Sequence, residues 1–320
     1  MAGTTTGNVE RLVPTRLGGT SVVLRGARSP LDFGRAAGSR LGRVPVSHRF
    51  ARLVLLGGWA LVVVVPFYHL IISSFRSQGA YLTSDPWRPN GQFTLSQYGL
   101  VFKSGFVPDL VHSLIVTVAA VAITLVVSVL AAQRVVLNRS ALSRASFRYL
   151  LIGLAVPLQA LMIPLFVVID RVGLYDTLWA LIVVGAAFGI PVSVLVLVNF
   201  LRDIPKELTE AMYVDGASDM AVLRKLHLPL ARSALLMLAV YEGLINWNNF
   251  VLPLVLTTSR FSRVLPLQLF CFETEFGVNV PGVLAAVVLA TIPMVVLFVF
   301  SYRFLVRGLA AGLGGGGALK

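Results

Sequence analysis

The stretch IPKELTEAMYVDGASDMAVLRKLHLP, residues 204–229, decides how this chain is read. It is too polar to cross a bilayer and too rich in helix formers to be a plain connection. Pro205 suits a first helical turn, and Glu207 sits where the positive end of a helix favours an acid. Gly216 is a stop residue for that helix. Ser218 then reads as a new N-cap, with Asp219 in the first turn. Leu226, Leu228 and Pro229 return the chain to apolar surroundings. The spacing predicts two short helices around a glycine corner. An amphipathic helix lying on lipid is the alternative. Four acids, Glu207, Glu210, Asp215 and Asp219, fit an anionic leaflet poorly.

On both sides of this stretch the chain is apolar. Of 320 residues, 57% are hydrophobic and only 13% charged, where a soluble domain is nearer half apolar and a quarter charged. A crossing helix needs about 20 apolar residues. Six segments qualify: 53–72, 111–132, 149–169, 178–200, 235–256 and 283–302. The fifth is the weakest, because Glu242, Asn246, Asn248 and Asn249 interrupt it. Pro157, Pro164, Pro191 and Pro293 fall inside spans and predict kinks. The expected fold is an all-α integral membrane protein with six transmembrane helices and residues 201–232 as a two-helix loop between spans four and five.

Net charge is +13. A basic surplus can serve nucleic acid or basic cytoplasmic loops, and its distribution selects the second. The N-terminal segment, the second-to-third loop, the fourth-to-fifth loop and the C-terminal end together hold 21 of the 27 lysines and arginines. The other side holds six: Arg76, Arg88, Lys103, Arg171, Arg260 and Arg263. Both termini are therefore expected in the cytoplasm. No nucleic-acid partner is expected.

Residues 1–50 mix Gly, Ser, Thr and Arg with little apolar periodicity. They read as a disordered basic cytoplasmic tail. A transit peptide and an anchor to anionic lipid are the alternatives. A cleaved signal peptide fits less well, since the apolar run starts late and lacks a small-residue cleavage pattern. Residues 313–320 form a glycine-rich end.

Several chemistries have no signature here. None of the four lysines follows a glycine in a phosphate loop. The four histidines form no zinc motif, and one cysteine, Cys271, makes no cluster. No G-x-S-x-G elbow is present. An enzyme is the weaker class, and no cofactor or metal is expected on this chain.

The central stretch resembles the EAA loop of permease subunits of binding-protein-dependent ABC importers. Glu210, Ala211, Asp215, Gly216, Ala217, Leu226, Leu228 and Pro229 match that pattern. Met212 stands where a second alanine is usual, and Leu226 where isoleucine is usual. Three further runs are similar to the maltose-type second permease of the carbohydrate branch. They are Ile163–Phe166 with Gly173–Ala180, Asn246–Leu254, and Arg303–Gly312. The likeness covers roughly residues 52–312, and the permease domain is placed at 51–312. It implies a bacterial plasma-membrane location and a coupling loop that docks on an ATPase. Glu210 would make the polar contact, Gly216 would form the corner, and Ala211 and Ala217 would keep the docking face low. It also implies a second permease chain, two ATPase subunits carrying ATP and magnesium, and an extracytoplasmic sugar-binding protein.

The candidate translocation path is Glu242, Asn246, Asn249 and Pro253, at i, i+4, i+7 and i+11 of a continuous helix, with Trp247 available to stack on a sugar. Polar glue between helices, or an interfacial tryptophan, is the alternative. Other solutes share the EAA loop, and an ATP-independent carrier is the competing class.

Overall fold

The computed structural model describes residues 46–85, 87–88, 93–138, 140–274 and 277–314. Residues 1–45 of the tail expected at 1–50, and the last six residues, lie outside them. Among the described residues four helices are long and apolar enough to cross a membrane. They are α1 (Val46–Ser74), α4 (Phe106–Leu137), α7 (Leu178–Arg202) and α14 (Val280–Gly314). Two bent pairs bring the total to as many as six spans. Short helices α2 (Gln78–Thr83) and α3 (Ser96–Lys103) join the first two spans. A two-residue antiparallel ladder, Glu273–Thr274 with Gly277–Val278, precedes α14. The helical class expected from the apolar runs holds, and the described residues from Val62 onward pack as one unit.

The middle of this unit is α4 against α7. Buried Thr117, Ala120, Thr124, Ser128 and Ala132 run along α4, and Gly185, Gly189 and Ser193 along α7. Small residues at this spacing let two backbones approach closely where lipid supplies no hydrophobic force. Thr124 Oγ1 donates to the Ala186 carbonyl at 3.3 Å. Such a bond is worth about 0.6 kcal/mol between membrane helices, so close packing carries more of the association. At one end Val129, Leu197, Val198, Leu201, Leu223 and Leu238 continue the core. At the other, Val116, Ile169, Leu181, Val184, Leu252 and Leu256 do.

Two spans differ from the sequence expectation. The third is broken: α5 (Ala141–Ile152) and its 3₁₀ extension lie at 94° to the segment ending in α6 (Met162–Arg171). Val156, forced toward extended backbone by the ring of Pro157, has φ −88° and ψ 115°. The fifth does not run 235–256. Its helix α11 (Arg232–Trp247) ends early, and α12 (Val251–Leu256) starts anew. Asn248 Nδ2 donates to the Leu244 carbonyl at 2.9 Å, and Asn249 Oδ1 accepts from the Leu252 N–H at 3.1 Å. These short amides hold the last carbonyl turn and the first N–H turn, so the backbone changes direction between them. Helix α1 begins at Val46, inside the segment assigned to the tail.

The loops gather into two poles. Arg134, Arg144, Arg148, Arg202 and Lys206 meet at one, and Lys103, Arg171, Arg260 and Arg263 belong to the other end of the same helices.

Candidate functional site

The more basic pole carries the two-helix loop expected to couple to an ATPase. Helix α8 (Lys206–Val214) follows Pro205, with Glu207 in its first turn. Gly216 has φ +79°, a left-handed conformation that costs a side-chain-bearing residue about 1–2 kcal/mol. Nothing lies within 4 Å of a Cβ built there, so conformation, and not space, calls for glycine. The N–H of Ala217 closes onto the Met212 carbonyl at 2.9 Å and that of Gly216 onto Tyr213 at 3.0 Å, a Schellman-type stop. Ser218 caps α9 (Asp219–Val222) by accepting from the Ala221 N–H at 3.3 Å.

Asp219 ties this corner to the rest of the chain. Its carbonyl accepts from Gln133 Nε2 at 2.6 Å, and its carboxylate lies 3.6 Å from Arg134. The Tyr213 hydroxyl donates to it at 2.8 Å. Partial burial, and then the Asp219 carboxylate, push the Tyr213 phenol above its usual range. Among the expected coupling residues, Glu210, Ala211, Asp215, Gly216 and Pro229 are exposed, and Ala217, Leu226 and Leu228 are half-buried. No residue of α8 is buried. Glu210 lines a cleft with Lys206, Thr209 and Tyr213, on the face of α8 turned toward the membrane helices. Sequence reading placed Asp219 only as a first-turn acid. Its partners on α4, Arg134 and Gln133, are 85 and 86 residues away in sequence, which spacing does not reveal.

From α9 the chain passes through a π turn (Leu223–His227) and the short α10 (Leu228–Leu230) before entering α11. The segments 219–230 and 232–247 meet at 74°.

The polar face of α11 is buried at the α4–α7 contact. Glu242 is 1% exposed and accepts from Ser193 Oγ at 3.3 Å. A Cβ on Gly189 would come within 2.5 Å of Glu242 Oε2, and one on Gly185 would collide with Asn246 Oδ1. The glycines thus make room for the two polar side chains. Asn246, Trp247, Asn249 and Pro253 share a small cavity with Ser113 and Thr117. Its volume is about 20 Å³, room for a water molecule and not for a sugar ring. Glu242 does not line it. The continuous helical face drawn through 242–253 is interrupted at 248–250, so Pro253 reaches the cavity from α12. Trp247 is 5% exposed and packs with Val101, Phe106, Leu265 and Phe272, not on an open surface.

The opposite pole holds two networks that sequence reading did not single out. Arg263 Nε donates to Asp109 Oδ2 at 2.8 Å, with Asp109 only 2% exposed at its side chain. Arg263 also reaches the Ser104 carbonyl at 2.9 Å. Asp176, at φ +58°, accepts from the N–H groups of Thr258 and Ser259 at 2.8 and 2.9 Å and from the Ser262 hydroxyl at 2.5 Å. Desolvation opposes the charge, yet these donors outweigh it and hold the carboxyl at about 2. Among the described residues no group of three His, Cys, Asp or Glu side chains could hold a metal ion.

Comparison with known proteins agrees with this arrangement. The arabinooligosaccharides transport system permease protein AraQ of Halalkalibacterium halodurans is 30% identical over 79% of this chain and 91% of its own. The glucose import system permease protein GlcU of Saccharolobus solfataricus is 29% identical over 85% and 97%. The fold matches a chain in the crystal structure of a bacterial ABC transporter that imports the acidic polysaccharide alginate. Its TM-score is 0.72 at 23% identity, covering 82% of this chain and 97% of that one. Residues 124–311, from the middle of α4 through the coupling element to the end of α14, match the family described as binding-protein-dependent transport system inner membrane component, and the chain belongs to that family.

Proposed function

We propose that this chain is the permease subunit of an ATP-driven importer that moves a sugar handed over by an extracytoplasmic binding protein. The chain is a multi-pass inner-membrane transport component and not itself an enzyme. The observation that carries the mechanism is the α8–Gly216–α9 corner. It is an uncovered, well-capped element fastened to α4 through Asp219 and continuous with α11. Such an element is a handle for a cytoplasmic ATPase, on which ATP and magnesium would bind. In this reading the basic pole is cytoplasmic, with both termini there, and Glu210, Ala211, Asp215, Gly216, Ala217, Leu226, Leu228 and Pro229 form or support the docking element.

Two ATPase subunits and a second, different permease chain complete the proposed assembly. The apolar faces of α1 leave room for such a partner: Val62, Val64, Phe67 and Ile71 are exposed. The path is assigned to the Asn246, Trp247, Asn249 and Pro253 cavity, with Glu242 one turn deeper. At its present volume the path is closed, as alternating access requires of one of its states. The named substrates of the relatives, arabinooligosaccharides and glucose, support the sugar class.

The test is a mild-detergent pull-down of the tagged chain from its native membrane. An ATPase and a second permease are expected to be retained, and the ATPase to be lost when Gly216 and Glu210 are changed. Recovery of the chain alone, with sugar uptake persisting without ATPase, would assign it to an autonomous carrier. Uptake of a different solute by the intact assembly would remove the sugar and keep the importer.

A further inference from the structure

A cleft of about 830 Å³ opens beside the coupling element, between the ends of α4 and α7, helix α5 and the inner face of α8. Four cations line it, Arg144, Arg148, Arg202 and Lys206, against the single carboxylate of Glu210. Its floor is apolar, with Val136, Phe147 and Ile204. The Arg202 guanidinium lies 5.7 Å over the Phe147 ring, which keeps that charge at the edge of the apolar floor. His227 also lines the cleft. It is 2% exposed, and its Nδ1 has no hydrogen-bond partner within the protein. A buried ring nitrogen without a partner is costly, so this atom is provided for a group the chain does not supply.

The chemistry is that of a phosphate oxygen cluster beside hydrocarbon. We propose that the cleft binds the headgroup of an anionic phospholipid from the cytoplasmic leaflet. The headgroup sits between α5 and α8, with its phosphodiester on the arginines and its acyl chains along the apolar floor. The position fits this occupant. The cleft lies where α4 and α7 end, the level at which headgroups sit. Helix α5 turns 94° from the segment that follows it, and Leu142, Tyr149 and Ile152 are exposed along it, as on a helix resting in the interface. Basic pockets at the cytoplasmic ends of spans are the usual receptors for such headgroups. A docking ATPase has the other face of α8 available, where Glu207, Leu208, Ala211 and Val214 are exposed, with exposed Glu210 at the boundary of the two faces. Lipid in the cleft would brace α8 from behind while the ATPase meets it from the front. The inference rests on the sidedness proposed above and not on the identity of the solute.

The experiment is native mass spectrometry of the full chain in its assembly. The protein is released from nanodiscs of phosphatidylcholine doped with phosphatidylglycerol. Wild type is expected to retain phosphatidylglycerol selectively. The double variant Arg144→Gln, Arg148→Gln is expected to lose about tenfold of that retention. Arg224→Gln with Lys225→Gln, a charge-matched change outside the cleft, is expected to keep it. Should the α5 variant fail to assemble, Arg202→Gln and Arg148→Lys carry the comparison, the first losing lipid and the second keeping it. Equal retention in cleft and control variants overturns the proposal. Displacement of the lipid by millimolar inorganic phosphate, with phosphate then bound, assigns the site to a soluble anion and also overturns it. Loss of the ATPase from the cleft variants with lipid retention unchanged gives the cleft to the protein partner.

Discussion

The coupling corner and the α4–α7–α11 junction are both polar, and they treat polarity in opposite ways. At the corner no residue of α8 is buried, and the shape is held by caps, a left-handed glycine and one aspartate. At the junction Glu242 is sealed against Ser193, and two glycines of α7 are hollowed to receive it and Asn246. A surface meant for a partner keeps its groups exposed and its stability local. A joint between packed helices hides its polar groups, because an unsatisfied one would be expensive in a low-dielectric surrounding. The corner should therefore tolerate substitution in stability and fail in function, and the junction should fail in stability first.

The sharpest way to break this contrast is Gly189→Leu. The new side chain would press into Glu242 and Thr124, and overpacking of this kind costs up to about 3 kcal/mol or more. The expected result is little folded chain in detergent by size-exclusion and thermal melt. A variant that folds with an unchanged melting temperature would show that the junction is loose. Gly216→Trp comes next. The left-handed strain is about 1–2 kcal/mol, so the chain should insert and fold. Sugar uptake should drop at least tenfold while ATPase turnover becomes uncoupled. Normal uptake would show that the corner is not the handle.

Asp176→Asn adds a third region to the comparison, the opposite pole. The amide keeps the shape and loses the charge on three donors, for about 1 kcal/mol in this half-exposed loop. The pH dependence has a definite sign. A carboxyl held at about 2 in the folded chain contributes its stability in full above its unfolded value, near 4. That contribution fades as pH falls through 2. The gap in melting temperature between wild type and the asparagine variant is therefore expected at pH 7 and should narrow below pH 4. A gap constant with pH would remove the electrostatic account. Ser218→Ala is the smallest, about 0.5–1 kcal/mol from the lost cap on α9. Its readout is amide hydrogen exchange of residues 219–222, faster by a few-fold with the junction unaffected. Protection lost in α11 as well would mean that corner and junction unfold together.

How much of this was written in the sequence depends on range. The corner was legible because each of its signals is local. Gly216, Ser218 and Glu207 act within four residues, and the structure places the corner where they point. The long spans α4 and α7 were legible for a similar reason, since a run of apolar residues needs no partner to be recognised. The breaks were harder. Pro157 signals a kink, and nothing in its neighbourhood sets the angle at 94°. Asn248 and Asn249 read as polar residues on a helix face, although their short amides end one helix and start the next. Least legible were the contacts that cross the chain. Asp176 reaches Ser262 and Asp109 reaches Arg263, partners separated by 86 and 154 residues. Gly185 and Gly189 carry no signal of their own in the sequence, and only the fold shows that the space they leave belongs to Asn246 and Glu242.

The 74° bend between the α9 segment and α11 has one more consequence. The chain turns through it on two backbone bonds, the Ala231 N–H on the His227 carbonyl at 2.8 Å and the Leu235 N–H on the Ala231 carbonyl at 2.9 Å. An elbow of that angle that holds its shape is a bell crank. A thrust along its short arm emerges along the long arm chiefly as a sideways swing, with little sliding. Under the function proposed above, work delivered at the corner would emerge as tilt of the helix whose side carries Glu242 and Asn246, making the two regions the two ends of one lever.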